Sequence, residues 1–317
     1  MRYVKNDSMK MKIDIVIPVY NSESCLLELS KQLSEKLENI SHRIIYVNDS
    51  SHDNSWVLLK QISKNTNNVI AINLAKNFGQ DCAIMAGLTH TDGDYIVIMD
   101  DDLQHNPSDI LPLIDQLKKK NADLCYGKYE VKKQSLFKNF GSWLNDKLAN
   151  IVLKKPHDIY LSPFKILKNS LVEKIIQYDG PYPYIDGLIF RYTTNITQVL
   201  VSHHKRFSGK SNYSIAKSIS VWLRVLTNFS VIPLRISTYI GIFSAIIGFL
   251  MGLFFIFLHF MGIGSPEGWP SLIVSILFIG GIQLIALGTI GEYVGRSFLY
   301  QNREPQYIID EIEKSIE

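Results

Sequence analysis

Apolar and polar positions along this chain follow one rule up to about residue 215 and another beyond it. In the first part, short apolar runs alternate with stretches of helical spacing. Ile13-Asp14-Ile15-Val16-Ile17-Pro18 reads as a buried strand closed by proline, with the loop Val19–Glu23 after it. Leu26, Leu29, Leu33 and Leu37 recur at helical spacing and predict a helix from about Ser24 to Asn39. A second strand runs from Arg43 into Asn48 and Asp49, residues 50–55 form a loop and helix cap, and another helix reaches about Asn65. Val69–Leu74 is a third strand, Asn77–Gln80 a turn, Asp81–Thr89 a helix of small residues, and 95–99 the next strand. Strands alternating with helices predict an α/β layer with a mostly parallel sheet.

Farther on, Asp123–Gly127 reads as a short strand, followed by Lys128 and a basic stretch through Lys138. Phe137–Val152 predicts an amphipathic helix, Leu161–Ile166 a strand-like element, Asn169–Tyr178 a helix, Gly180–Tyr184 a turn and Asn195–His203 a strand. The segment from His203 to Tyr213 is basic and aromatic.

The pattern then changes. Uncharged runs over 236–263 and 271–291 are dominated by apolar residues and glycine. Each exceeds the roughly 20 residues that cross a bilayer, so spans are predicted at about 236–263 and 271–292, joined as a hairpin by Gly264–Pro270. Arg224 and Arg235 precede the pair while Arg296 and Arg303 follow it, which puts both ends in the cytoplasm by the positive-inside tendency. Trp222, Leu223, Leu226 and Phe229 with Arg224 suit a helix lying at the membrane surface over 219–232. The expected organisation is a cytoplasmic domain over 1–215, an interfacial helix over 216–235, a hairpin over 236–295 and a cytoplasmic tail over 296–317, helix-like from Tyr307 to Ile316. The competing reading of the apolar runs is a pair of core helices in a soluble protein.

Composition adds little. A net charge of +3 carries no nucleic-acid footprint. Cys25, Cys82 and Cys125 lack CxxC or metal spacing and read as core-filling free thiols in a reducing compartment. Met1–Lys12 is polar and basic, without the apolar core of a signal peptide.

The candidate chemistry is concentrated where Ile96-Val97-Ile98-Met99 runs straight into Asp100-Asp101-Asp102, with Gln104 two residues on. Like charges at the end of a buried strand are costly without something positive beside them. A hard divalent cation bound by oxygens and shared with phosphate answers that need. Strand alternation pairs Asp100 with Asp102 and turns Asp101 away. In open α/β sheets ligands bind at the carboxyl ends of the strands, and Pro18–Glu23, Asp49 and Asp100–Gln104 all fall on that edge. The alternative is a solvated acidic turn, with Asn106-Pro107-Ser108-Asp109 opening the next helix.

With Pro18-Val19-Tyr20-Asn21-x-Glu23, Asp49, Asn77-Phe78-Gly79-Gln80 and Asp100-Asp101-Asp102-Leu103-Gln104, the chain resembles family 2 glycosyltransferases of the GT-A fold. Arg206-x-x-Gly209-x-Ser211-x-Tyr213, Pro233-Leu234-Arg235 and Gly291-Glu292-Tyr293-x-Gly295-Arg296 resemble the polyprenyl-phosphate members of that family. The resemblance covers nearly the whole chain in order. It implies inverting transfer of one sugar from a nucleotide diphosphate, a UDP-sugar before a GDP-sugar, onto undecaprenyl or another polyprenyl phosphate. It further implies that Pro18, Tyr20, Asn21, Glu23, Asp49, Asp100, Asp101 and Lys128 hold the nucleotide-sugar, with Asp49 reading the base. Asp100, Asp102 and Gln104 then hold Mg²⁺ or Mn²⁺. Place and assembly follow from the same resemblance: the inner membrane of a bacterium, catalytic domain on the cytoplasmic side, as a homo-oligomer, a tetramer.

The acceptor is a phosphate monoester, anionic at neutral pH, so it attacks without first losing a proton and needs positioning and charge compensation instead. Arg206 suits that task by its fork geometry, with Lys210, Ser211 and Tyr213 completing a cradle and Arg235 at the membrane surface. Asp102 and Arg206 are therefore the candidate catalytic residues. A solvated basic loop attracted to anionic headgroups is the competing reading of Arg206 and Lys210. Two positions depart from the family pattern: Asp101 where relatives more often have a small residue, and Lys165 where they commonly show arginine. Lysine lacks the bidentate fork, which leaves donor contacts at 165 open. A processive polysaccharide synthase would carry a QxxRW-type motif, which Val221-Trp222-Leu223-Arg224 does not fit. A non-catalytic membrane scaffold would tolerate loss of the acids that are intact here.

Overall fold

The computed structural model describes residues 11–129, 159–202, 232–261 and 268–315. The chain divides into two compact units, Met1–Tyr213 with Arg303–Glu317, and Ser214–Asn302. The helices predicted over 137–152 and 219–232 lie outside the described residues, apart from Ile232 itself.

The first unit is built on β1 (Ile13–Val19), β2 (His42–Asn48), β3 (Val69–Leu74), β4 (Tyr95–Ile98), β5 (Leu124–Tyr129), β6 (Lys165–Lys168), β7 (Ile196–Val201) and β8 (Ile309–Lys314). They form one sheet in the order β7-β5-β6-β4-β1-β2-β3-β8. β1 pairs in parallel with both β2 and β4, β2 with β3, and β5 with β7, whereas β6 and β8 run antiparallel to their neighbours. The strand order turns back at β1, with β2 on one side and β4 on the other. In open α/β sheets that reversal opens a crevice at the carboxyl edge.

Both sheet faces are covered. Odd-numbered β1 residues Ile13, Ile15 and Ile17 pack with Leu26, Leu29 and Leu33 of α1 (Glu23–Lys36), Leu59 of α2 (Ser55–Asn65) and Leu113 and Leu117 of α4 (Ile110–Lys120). The opposite face carries α3 (Gln80–Leu88), buried from Cys82 to Leu88. A β-carbon added at Gly87 would fall 2.4 Å from Cγ1 of Val16, so this helix lies close on the sheet. A strand buried on both faces reads as a continuous apolar run, which is why Ile13–Val19 is buried at every position. Asp14 is the exception. Its buried carboxylate takes both Arg43 nitrogens, at 3.0 and 2.7 Å, and the backbone N–H groups of Asp92 and Gly93 at 2.7 and 2.8 Å. α5 (Asn169–Ile175) and α6 (Ile185–Tyr192) are the remaining α-helices of this unit among the described residues.

The carboxyl-terminal segment corrects the helical expectation for 307–316. Residues 309–314 form β8 on the free edge of β3, so the tail belongs to the first unit. Ile309 and Ile312 have helical spacing, but an open strand edge offers a row of unpaired N–H and C=O groups, and that wins. Side chains reinforce it: Trp56 Nε1 donates to Glu311 at 3.2 Å, Lys60 pairs with the same carboxylate at 3.3 Å, and Ser63 Oγ donates to the Glu313 carbonyl at 3.0 Å.

In the second unit α7 (Ile232–Phe260) packs against α8 (Trp269–Gln301). Each holds a stretch long and apolar enough to cross a membrane, Ile232–Phe254 and Phe278–Gln301, and no residue of either stretch is buried. Phe243, Phe249, Leu284 and Ile285 are exposed, so these runs are not buried as core helices within this chain.

Arg43 also holds Asp92 at 2.8 Å and the His90 carbonyl at 3.2 Å, so loss of the Asp14 carboxylate strands chiefly the N–H groups of Asp92 and Gly93. Asp14→Ala is expected to lower the free energy of unfolding by about 2–3 kcal/mol, read from the denaturant midpoint of the purified chain, while the equally central but purely apolar Ile15→Val costs only about 1 kcal/mol.

Candidate active site

Two loops at the carboxyl edge are stitched to each other before any ligand is considered. β1 ends in Tyr20-Asn21-Ser22-Glu23, and Asn21 adopts a positive φ of 53°. Its N–H donates to Ser51 Oγ at 2.9 Å while its Oδ1 accepts the His52 N–H at 2.8 Å. The Ser22 N–H donates to Ser55 Oγ at 2.9 Å, the Glu23 N–H to Asp53 at 3.1 Å, and Glu23 Oε2 accepts the Asn54 N–H at 2.9 Å. Asn21 and Glu23 therefore shape the loop after β2. Tyr20 is exposed, its ring edge-on to His52 with centroids 6.4 Å apart. Pro18 is buried within β1 opposite Val47.

Asp49, buried just past β2, accepts the Phe78 N–H at 2.7 Å on Oδ1 and the Gly79 N–H at 2.9 Å on Oδ2. Burial raises its pKa and these two donors partly offset that. Gly79 sits at φ 95°, a conformation that favours glycine. The carboxylate thereby fixes the turn that leads into α3.

The three acids after β4 go to three different places. Asp100 Oδ1 accepts Gln80 Nε2 at 2.8 Å, and the Asp100 N–H donates to His105 Nδ1 at 3.1 Å. Asp101 turns to the other side of the strand, where its carboxylate meets the Tyr20 N–H at 3.4 Å and the Ser22 hydroxyl. Asp102 Oδ1 accepts the Gln104 N–H at 3.1 Å across Leu103, whose φ is 61°. His105 is buried, stacked on Phe164 with centroids 5.1 Å apart and on Tyr129 at 6.1 Å. The sequence reading passed over His105 and took Gln80 only as the end of the Asn77–Gln80 turn and family motif. A histidine directly after Gln104 was the available signal for the first.

Lys165 does not face outward. Its side chain is 4% exposed and forms an ion pair with Asp186 in the first turn of α6. Tyr126 Oη donates to the same Asp186 oxygen at 2.6 Å, and Asp81 Oδ1 accepts the Ile185 N–H at 3.0 Å. Lys128 stands near the end of β5, which shares the carboxyl edge with β4.

Among the described residues no three His, Cys, Asp or Glu side chains converge as a metal cage. By chemistry, Asp100 and Asp102 are hard oxygen donors, of the kind that leaves further coordination to phosphate and water. That fits Mg²⁺ or Mn²⁺ shared with a diphosphate. Arg206, Lys210, Ser211 and Tyr213 lie outside the described residues. Arg235 is exposed on α7, in the second unit.

A sequence profile described as Glycosyl transferase family 2 matches residues 14–176. The chain is 30% identical over 308 residues to a prophage bactoprenol glucosyl transferase homolog of Escherichia coli, covering 96% of this chain and 100% of that protein. It is 31% identical over 304 residues to the bactoprenol glucosyl transferase of Shigella phage SfV, covering 94% and 98%. An undecaprenyl-phosphate 4-deoxy-4-formamido-L-arabinose transferase of Proteus mirabilis is 28% identical over 306 residues, covering 95% and 94%. Among solved structures, glucosyl-3-phosphoglycerate synthase of Mycobacterium tuberculosis, solved with Mn²⁺, UDP and glucosyl-3-phosphoglycerate, superposes with a TM-score of 0.52 at 15% identity over 68% of this chain and 78% of that one. The fold they share is GT-A.

Two carboxyls of the site titrate far from the ordinary 3.8: burial pushes both Asp81 and Asp101 up to about 6. Asp186 adds to the first shift and Asp102 to the second. Above about pH 4 the unfolded chain has released these protons while the folded chain holds them until about pH 6, so metal-free stability falls as pH rises through that window. Asp81→Asn is expected to flatten the decline by about one bound proton, measured as the slope of unfolding free energy against pH in chelator.

Proposed function

Since this chain belongs to glycosyl transferase family 2, we propose that it moves one sugar from a UDP-sugar onto a polyprenyl phosphate at the cytoplasmic face of a membrane, inverting the anomeric centre. The observation that carries this reading is the meeting, at one sheet edge, of the stitched loops after β1 and β2 with Asp100 and Asp102 after β4. The acceptor class draws its support from full-length similarity to bactoprenol glucosyl transferases, which extends across both apolar helices.

In this reading Pro18, Tyr20, Asn21 and Glu23 form the wall for the nucleoside. Asp49 spends one lone pair of each oxygen on the turn at Phe78 and Gly79 and keeps others for a base N–H. Asp100, Asp102 and Gln104 would hold Mg²⁺ or Mn²⁺, Asp101 braces the Tyr20 loop, and Lys128 adds positive charge nearby. The bound ion supplies charge stabilisation to the departing nucleoside diphosphate.

The chain itself orients the two reactants. Asp102 serves there as a ligand and not as a base, since the phosphate nucleophile already carries its charge. Arg206 grips that phosphate by its fork, Lys210, Ser211 and Tyr213 close around it, and Arg235 serves at the bilayer surface. α7 and α8 both cross the membrane, hold the domain beside its lipid substrate and join copies of the chain into a homo-oligomer, a tetramer.

The deciding experiment measures UDP release by purified chain with Mn²⁺, across UDP- and GDP-sugars, with and without undecaprenyl phosphate. One donor turning over only in the presence of lipid phosphate is the expected result, and donors left idle with lipid point to another acceptor. Asp102→Asn is expected to lower the rate by at least about 100-fold, on the scale of removing one transition-state charge stabiliser, with folding and membrane insertion unchanged. Arg206→Ala is expected to raise the KM for lipid phosphate about tenfold or more while the affinity for UDP stays within about twofold. Equal loss of both would move Arg206 to the donor side.

A further inference from the structure

Asp186 has no role in the site described so far, yet its surroundings are those of a group built to accept a hydrogen bond. Lys165 is paired in register with Ile98, the last residue of β4, and with Tyr126 of β5. Directly paired residues share a sheet face, and Asp100 follows Ile98 by two residues. From the opposite direction, Gln80 donates to Asp100 at 2.8 Å, and its neighbour Asp81 accepts the Ile185 N–H at 3.0 Å. The first turn of α6 is thus joined to the acidic segment through α3 and through β6.

Within that turn Asp186 uses its oxygens unequally. Oδ1 takes both the Lys165 ammonium and the Tyr126 hydroxyl, the latter at 2.6 Å, and the ammonium also lies over the Tyr126 ring, 5.4 Å from its centroid. Oδ2 accepts nothing among the described residues. It is not sealed off either, because the Tyr46 hydroxyl is the one fully buried, unpartnered side-chain polar atom among them. The carboxylate is therefore clamped at one oxygen and open at the other.

A buried lysine–aspartate pair is weak stabilisation, since desolvation consumes most of the Coulombic gain. What such a clamp does provide is a fixed acceptor. A carboxylate held at one oxygen by an ammonium and a phenol keeps the other oxygen oriented as a strong acceptor for a neutral hydroxyl. Sugars offer such hydroxyls, and buried groups that hydrogen-bond a substrate hydroxyl discriminate strongly against analogues lacking it.

We propose that Asp186 is a specificity-determining residue for the transferred sugar: Oδ2 accepts a hydroxyl of the hexose, and Lys165 and Tyr126 hold the carboxylate in place for it. The inference rests on the reading of this site as one for a nucleotide-sugar. It gives position 165 a role through Asp186 instead of through the diphosphate. Lysine serves there because a single point charge reaching one oxygen leaves the other open, whereas a bidentate arginine fork would occupy both.

The test is calorimetric titration of the full-length chain in detergent with Mn²⁺, using UDP and a panel of UDP-glucose, UDP-galactose and UDP-N-acetylglucosamine. In wild type, one UDP-sugar is expected to bind more tightly than its panel mates. Asp186→Asn should leave UDP binding within about twofold and weaken the preferred sugar about 10- to 100-fold, the range for a hydrogen bond to a charged group. Tyr126→Phe keeps the ion pair and should shift the preference the same way by less. Loss of UDP and UDP-sugar in equal measure would make Asp186 a folding group and overturn the proposal, as would an unchanged ranking of the panel. If Asp186→Asn fails to fold, Tyr126→Phe decides: reduced preference with UDP intact supports the proposal, and unaltered preference overturns it. Wild type that binds none of these nucleotides would instead overturn the donor reading, and this inference with it.

Discussion

Three consecutive carboxylates leaving a buried strand set the terms for the rest of the site. Their mutual repulsion is eased where each finds a separate partner, and each does. Asp100 turns to Gln80 of α3, Asp101 to the loop after β1, and Asp102 to the backbone of its own turn. The repulsion is thereby converted into three ties that fix neighbouring elements. The strained Leu103 backbone, at φ 61°, belongs to the same solution, since it lets the chain turn sharply enough for Asp102 to reach the Gln104 N–H. His105 adds a fourth tie by accepting the Asp100 N–H from within an aromatic stack.

The loops after β1 and β2 illustrate how a polar surface is made rigid without a core beneath it. Backbone N–H groups that a helix or strand would have satisfied are taken up by Ser51, Ser55, Asp53, Glu23 and Asn21. Positive φ at Asn21 and Ser50 accompanies this exchange. A site prepared this way binds without first ordering its loops, so less of the interaction free energy is lost on binding.

The architecture was legible in the sequence where the pattern was local. Apolar runs of strand length separated by helical spacing gave the parallel strands, and Pro18–Glu23, Asp49 and Asp100–Gln104 fell on one edge by simple alternation. What stayed hidden depended on partners distant in sequence. Residues 307–316 carry an isoleucine spacing suited to a helix, and only the free edge of β3 makes the strand the better choice. Asn21 and Glu23 resembled ligand contacts, and nothing local told that their oxygens would be engaged by residues about thirty positions on. Lys165 looked like an altered donor contact until Asp186 and Tyr126 were brought to it by the fold.

The position of β8 carries a consequence for connectivity. Residues 214–302, the unit with the two apolar helices, are joined to the first unit at both ends. The returning segment does not merely end there. Ile308 accepts the Ala75 N–H at 2.9 Å, Gln306 donates to the Tyr178 carbonyl at 2.6 Å, and Tyr307 and Thr89 share a hydroxyl contact at 3.2 Å. Ala75 opens the segment that continues through Phe78 and Gly79, which Asp49 holds, to Gln80, which holds Asp100. One continuous stretch, 75–80, is thus braced by the returning chain at its start and by the acidic site at its end. Each brace is a hydrogen bond of ordinary length to backbone or to a carboxylate, and together they tie both ends of the stretch. The carboxyl terminus is in this sense part of the scaffold that positions the first acid of the site.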